Sequence, residues 1–380
     1  MINVLELIDG GFIGGGQTHI LSVVKCLDTN EYKSVIAASD KGEFRNEVGK
    51  NGFDFRKIEL PKIYRSKYLK DLDKIVRDNS IDIIHSHGGV AGMYARFYKK
   101  RYGNVKTIHT IHGIHYLNSG NLIRKYFSLA IEQYLVQFTD KFICVSDADL
   151  KTAVENKIAD KNKTVVINNG IDLKKFADEK GHRNKELVRK YELKDEEFII
   201  GNVSRFDFQK NQGFIISNSE ELLKKYPNVK ILLAGNGSFY EQCIKSAEET
   251  GMFERFIFTG EVTNAQDYYS LFDIFIFPSL WEGLSISLIE AMASGRCILT
   301  SDIDANKELI TDNENGLLFN TTDPDEYLKK LFKLIEDKNL RKKLSHKAVL
   351  NSINYSEDEM TRKIMKEYSI HNTQYLILNT

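Results

Sequence analysis

Asp273-Ile-Phe-Ile-Phe-Pro-Ser-Leu-Trp-Glu-Gly-Leu-Ser-Ile-Ser-Leu-Ile-Glu-Ala-Met-Ala-Ser-Gly295 decides how this chain is read. Its apolar run, Ile274 to Phe277, predicts a buried strand of the kind found in parallel sheets. Pro278 ends the run, because proline cannot donate to a sheet ladder. A turn over Trp281–Ser285 follows. From Ser287 the spacing of Leu288, Ile289, Ala291 and Met292 turns helical, and Gly295 suits a C-cap. The free amides of the turn and of the helix N-terminus converge on one electropositive place, fit for a phosphate or a sugar hydroxyl. Glu282 and Glu290, eight residues apart, serve no anion site. Their carboxylates suit hydrogen bonds from hydroxyls. Taken singly, Glu290 reads equally well as a solvated helix residue and Glu282 as a loop acid.

The same unit, strand then glycine turn then helix, recurs outward in both directions. Upstream, Phe198 to Arg205 predicts a strand, followed by a loop over 206–212 and a helix. Arg205 and Lys210 flank that loop, and two cations before a helix N-terminus make a diphosphate clamp. Val229–Ala234 predicts a strand closed by Gly235-Asn-Gly237, and Phe256–Thr259 another. Downstream, Ile298–Asp302 and Gly316–Phe319 predict short strands, helices fill 325–352, and a last helix runs from Ser356 to about Tyr368. The charged stretch 173–196 suits a linker.

The first half repeats the architecture. Ile2–Ile8 predicts a strand, Asp9–Gly16 a glycine-rich loop and Gln17–Leu27 a helix, the opening of a Rossmann-like domain. His19 stands where a dinucleotide fingerprint wants its third glycine, and no acid is well placed at the end of a second strand. The glycines read instead as permitting close backbone approach, or as a plain tight turn. Strands follow over 35–39, 53–60, 81–87, 106–111, 141–146 and 164–168, with helices between them. His85 and His87 could hold a metal, but the sequence supplies no evident third ligand. They are read as polar groups at a strand end. His109 and His112 fall on opposite faces of a regular strand, so only one points to a site.

Residues 282–293, Glu-Gly-Leu-Ser-Ile-Ser-Leu-Ile-Glu-Ala-Met-Ala, resemble the E-x7-E signature of the retaining family 4 glycosyltransferases, which have the GT-B fold. Ser204-Arg-Phe-Asp-Phe-Gln-Lys-Asn211 resembles the family's G-R-x-x-x-Q-K-N, with serine for glycine. Ser285 replaces a common proline, and Asn236 a frequent aspartate. Weaker similarities lie in His85-Ser-His-Gly88, in Thr110-Ile-His-Gly113 and in Ile167-Asn-Asn-Gly-Ile-Asp172. The likeness spans roughly residues 2–370.

The resemblance implies an α/β chain of two Rossmann-like doubly wound domains facing across a cleft. Residues 1–175 would form the acceptor-side domain and 176–355 the donor-side domain. Residues 356–380 would supply a helix crossing back to the first domain and a tail. It implies a nucleotide-sugar donor, a UDP-sugar for preference, and a glycan or lipid-linked acceptor. His112, Arg205, Lys210 and Glu282 would be catalytic. Gly15, Gly16, Gly235, Val262, Gly283, Leu284, Ser285 and Glu290 would bind donor, with Glu290 on the ribose hydroxyls. His115 would face the acceptor. No cofactor and no metal is expected, since Arg205, Lys210 and backbone amides supply the positive charge. Two rivals stay open: a nucleotide-sugar epimerase on the same fold, and a non-catalytic nucleotide-sugar-binding subunit.

Composition bounds the rest. A chain of 380 residues predicts two domains. Its formal net charge of zero argues against a nucleic-acid binder. Cys26, Cys144, Cys243 and Cys297 lie far apart, which fits neither a disulfide framework nor a zinc motif. The N-terminus lacks the basic region of a signal peptide, and no apolar run approaches bilayer length. The expectation is a cytoplasmic protein, peripheral on the membrane's inner face. Between residues 56 and 106 stand thirteen Lys and Arg against five Asp and Glu. That excess reads either as solvated helices or as a surface for anionic lipid headgroups.

Overall fold

The structure, a computed structural model, describes residues 1–369 apart from 115, 116, 118–121, 178–182 and 263. The chain divides into two compact units, Met1–Gly170 with Glu357–Thr380, and Ile171–Ser356. His115 lies outside the described residues.

In the first unit, seven strands form one parallel sheet: β1 (Ile2–Ile8), β2 (Tyr32–Ala38), β3 (Phe55–Lys57), β4 (Ile83–His87), β5 (Lys106–Ile111), β6 (Lys141–Cys144) and β7 (Thr164–Val166). Their order is β3-β2-β1-β4-β5-β6-β7. Side chains alternate across the sheet, and both faces are covered. Leu5, Leu7 and Ile84 pack under Leu72, Tyr94 and Tyr98 on one face. Val4, Ile83 and Ile108 pack on the other, against Met360, Ile364 and Tyr368 of the helix Glu357–Ser369. Two-sided burial explains the near-continuous apolar runs read in the sequence.

The second unit repeats the plan with β8 (Phe198–Val203), β9 (Val229–Ala234), β10 (Phe256–Phe258), β11 (Ile274–Phe277), β12 (Cys297–Ser301) and β13 (Leu317–Phe319). The order is β10-β9-β8-β11-β12-β13, again all parallel. The α/β reading with two doubly wound domains therefore holds. In each sheet the strand order reverses once, between β1 and β4 and between β8 and β11. At such a switch point the loops beyond the strand C-termini part to leave a crevice.

Two boundaries differ from the sequence reading. The second unit begins at Ile171, whose amide donates to the Tyr355 carbonyl at 2.9 Å. Residues 173–196 are not a bare linker. They carry the helices Leu173–Ala177 and Lys185–Lys190. Between these, Arg183 donates to Asp273 Oδ2 at 2.9 Å and to the Glu197 carbonyl at 2.7 Å. The polar side chains that suggested a linker fasten this stretch to its own unit.

Candidate functional site

At the switch point of the second unit, β11 runs fully buried into Pro278. The helix Ile286–Ala293 starts beyond it, with the Ser285 hydroxyl accepting the Leu288 amide at 3.3 Å. Serine at this N-cap satisfies one of the orphan amides. Gly283, Leu284 and Ser285 are buried in the turn. Gly295, at φ +67°, ends the helix.

The loop after β8 is laced to the loop after β11. Leu280 donates to the Gln209 carbonyl at 2.8 Å, and Gln209 Nε2 donates to the Trp281 carbonyl at 2.8 Å. This brings Lys210 Nζ to 2.6 Å from Glu282 Oε1, with side-chain exposures of 16% and 7%. The same ammonium lies 4.9 Å from the centroid of the Phe277 ring. A nearly buried lysine thus holds a nearly buried carboxylate between two strand ends. Arg205 is exposed and turned onto Asp207, whose Oδ2 it meets through Nε at 2.7 Å.

Gly235 and Gly237 press against this loop. Gly235 has φ +129°, and a Cβ there would fall 2.1 Å from the Ser204 carbonyl oxygen. At Gly237, with φ +157°, a Cβ would fall 2.2 Å from the Phe206 carbonyl oxygen. Only glycine fits either place. Ser204, where the resemblance wants glycine, turns its hydroxyl inward: it donates to Asn202 Oδ1 at 2.6 Å and accepts from Gln212 Nε2 at 2.8 Å. The added side chain is absorbed by the core. Val262 is half-buried two residues beyond Gly260.

Glu290 accepts a hydrogen bond from the Tyr269 hydroxyl at 2.8 Å. Burial pushes its carboxyl up to about 7, against the opposing pull of the Tyr269 hydrogen bond and of Lys175. Glu290 is thus an acid poised near neutrality. Perturbation of this kind, beside a glycine turn, marks candidate binding groups.

The first unit gathers a different set at its own switch point. Gly15 and Gly16 open the helix Gly15–Cys26, and a Cβ at Gly16 would lie 3.9 Å from His112 Cδ2. His112 sits just past β5. His109, one face over, is buried and paired with the Ser86 hydroxyl at 3.0 Å, a core histidine. Around His112 stands a cluster whose extent sequence reading missed. His87 Nδ1 lies 3.1 Å from His112 Nε2, and His87 Nε2 lies 2.7 Å from Glu6 Oε2. Tyr368 donates to Glu6 Oε1 at 2.7 Å and meets His85 Nδ1 at 2.6 Å. The rings of His19 and His112 are 4.8 Å apart. Burial pushes the imidazoles down, to about 3 at His19 and about 4 at His87 and well below the usual range at His112, so all three are neutral at pH 7. At Glu6 burial pushes up, but the histidines at 85 and 87 prevail and hold it ionised. One signal was available: Glu6 breaks the apolar run of β1 between Leu5 and Leu7.

Two family models divide the chain between them. "Glycosyl transferases group 1" matches residues 183–349, and "Glycosyltransferase Family 4" matches residues 13–175. The chain is 26% identical over 307 residues to an Escherichia coli UDP-Gal:alpha-D-GlcNAc-diphosphoundecaprenol alpha-1,3-galactosyltransferase, covering 79% of this chain and 78% of that one. It is 25% identical over 320 residues to the Staphylococcus aureus capsular polysaccharide biosynthesis glycosyltransferase CapH, covering 81% and 84%. Among solved structures it resembles Anabaena HepE in complex with UDP and glucose, with TM-score 0.83, 17% identity, and 97% and 100% coverage.

Proposed function

The chain belongs to the group 1, family 4 glycosyltransferases, and on that premise we propose that it transfers a hexosyl or N-acetylhexosaminyl group from a UDP-sugar to a hydroxyl of a glycan or lipid-linked acceptor in surface polysaccharide or capsule synthesis. The observation that carries this reading is the Lys210–Glu282 pair, 2.6 Å apart at the switch point of the second sheet. Its cation suits a departing diphosphate, and its carboxylate suits the hydroxyls of a sugar. The named relatives support the donor and acceptor classes, because one is a UDP-galactose transferase onto a diphosphoundecaprenol-linked sugar and another a capsule enzyme.

In this reading the sugar–phosphate bond breaks as negative charge grows on the β-phosphate. Lys210, Arg205 and the amides of the Gly283–Ser285 turn stabilise that charge without a metal ion on the diphosphate. Arg205 exchanges Asp207 for phosphate. Glu290 takes the ribose hydroxyls. Gly235 and Val262 border the nucleotide, while Gly15, Gly16 and His112 serve the donor from the first domain. The acceptor hydroxyl attacks the face that the phosphate leaves, and its proton passes to the leaving phosphate oxygen. Configuration is retained with no glycosyl-enzyme.

The test follows slow hydrolysis of UDP-glucose, UDP-galactose and UDP-GlcNAc by proton NMR, in EDTA. One donor releasing UDP and a sugar first seen as the same anomer supports the reading. Conversion to an epimeric nucleotide sugar, or an inverted first anomer, refutes it. Wild-type turnover with a trapped Glu282 adduct would refute the front-face step alone.

Membrane contact belongs to the same proposal. Among the described residues no helix is long and apolar enough to cross a bilayer. Several cations of the basic stretch are spent internally: Arg96 is buried against Glu132 at 2.8 Å, and Lys99 pairs with Asp140 at 3.0 Å. Lys62, Arg65 and Lys67 remain exposed around Ile63. The helix Leu122–Leu135 exposes Leu122, Ile123, Tyr126 and Phe127. Apolar and basic side chains exposed together suit an anionic lipid surface.

A further inference from the structure

We propose that His19, His87 and His112 form a zinc-class metal site within the first domain, three imidazoles with an open fourth position. The three ligands come from three elements: the helix Gly15–Cys26, the end of β4 and the residue following β5. No two are close in sequence, so no motif announces them. One nitrogen of each lies within 4.8 Å of the others, and the His87–His112 pair is already at 3.1 Å. Zinc bonds to imidazole of about 2.0–2.1 Å set tetrahedral N···N separations near 3.4 Å. Side-chain swings of roughly 1 Å close the gap.

A metal-binding histidine characteristically donates its far N–H to a carboxylate or carbonyl, which fixes the ring and leaves the near lone pair for the ion. His87 Nε2 lies 2.7 Å from the buried Glu6 carboxylate, leaving Nδ1 on the inner side. His19 Nδ1 lies 3.0 Å from Asn169 Oδ1, leaving Nε2 on the inner side. That Nε2 is buried and has no hydrogen-bond partner among the described residues. A buried ring nitrogen without a partner costs stability unless something occupies its lone pair. Without a metal, the one Nε2 proton of His112 can serve His87 but not His19 as well. With a metal, His112 shifts its proton to Nδ1, and all three inner lone pairs have one acceptor.

The neighbouring trio Glu6, His85 and His87 also falls within metal-ligand reach. It is already satisfied, because His85 spends its two nitrogens on Tyr368 at 2.6 Å and Thr110 at 2.7 Å. Glu6 has no lysine or arginine partner among the described residues, only histidines and Tyr368. A divalent ion one imidazole away offsets its buried charge. His112, the half-buried member, gives the entry side and the open position. The N-terminal end of the helix beginning at Gly15 lies beside it and favours an anion there, such as hydroxide, as the fourth ligand. The site is built from the first domain alone; it shares His112 with the donor-facing residues of the transfer reaction proposed above, and metal binding is therefore tested without reference to turnover.

The test titrates Co2+ into the full-length, chelator-stripped protein and follows the visible d–d bands of a low-coordinate site, then displaces Co2+ with Zn2+. His19→Gln and His112→Gln are run beside it, with exposed His346→Gln as control, and melting curves confirm that each variant folds. One equivalent bound, kept in the control and lost in both site variants, is the expected result. Glu6→Gln weakens binding roughly 10–100-fold, as outer partners of metal sites do. Nitrogen-15 histidine spectra of the wild type provide a reading that needs no variant: Zn2+ moves His19 Nε2, His87 Nδ1 and His112 Nε2. No cobalt bands in the wild type, unmoved histidine nitrogens, or bands undiminished in folded His19→Gln and His112→Gln overturn the proposal.

Discussion

Lys210 and Glu282 concentrate the energetics of the second domain in one contact. Each neutralises the other in a place where water reaches neither well, so removing one strands the other. Lys210→Ala is expected to cost about 3 kcal/mol, near the lower end for breaking a buried pair. Lys210→Met with Glu282→Leu recovers most of that stability and none of the activity, which urea melts and donor turnover separate. Glu290 gives a pH signature. Between its ordinary 4.5 and about 7 the folded chain keeps a proton at Glu290 that the unfolded chain has lost. Ligand-free stability therefore falls as pH rises through that window. With Glu290 on the ribose hydroxyls, as proposed, donor binding uses the ionised form and is expected to strengthen over the same range. Glu290→Gln flattens both slopes, measurable as melting temperature and UDP affinity at pH 5 and pH 8. Each of these residues was legible in the sequence by type and spacing. Their partners were not. Asp207 lies only two residues from Arg205, but nothing in the loop sequence announced the pair; Tyr269 carried no pattern that could assign it to Glu290, because that pairing is fixed by how two separate helices pack.

Among elements, the strand-to-helix turns were the most readable, since proline, glycine and a change of apolar period mark them locally. Gly235 shows why such a turn is stiff. Its positive φ and the Ser204 carbonyl 2.1 Å from any Cβ leave no room for another residue. Gly235→Ala must move the backbone that carries Arg205. The expected result is a destabilisation above ~1 kcal/mol with weakened UDP binding, read by calorimetry; an unchanged titration would contradict it. Short elements were less readable. β3 is only Phe55–Lys57, and the apolar run around it overstated its length. The two helices within 173–196 were hidden by a polar composition that reads as linker until Arg183 finds Asp273. The closing helix was placed by position alone. Nothing local showed that Tyr368 would reach across to Glu6, 362 residues away in sequence.

At the scale of the whole molecule, composition foretold two domains and a neutral chain, and the repeated strand–glycine–helix unit foretold two doubly wound sheets. The histidine cluster escaped that reading because its members come from widely separated elements. The exposed apolar side chains of the helix Leu122–Leu135 also escaped it, since exposure is a tertiary property. If these and the basic loop around Ile63 meet lipid, vesicles with a phosphatidylglycerol fraction sediment the protein and neutral phosphatidylcholine vesicles do not. Ile123→Ser with Phe127→Ser then weakens that binding several-fold at unchanged melting temperature. Co-sedimentation equal for both lipids, or unaffected by the double variant, removes the membrane from the account. The sugar transfer we propose is driven by cations and amides of the second domain. Release of UDP from the preferred UDP-sugar, in EDTA, by wild type, Lys210→Met/Glu282→Leu and Glu290→Ala, each shown to be folded, tests it most directly. Sustained wild-type release and a loss of at least ~100-fold in both variants are expected. Release that stops in EDTA, or that survives in either variant, would contradict it.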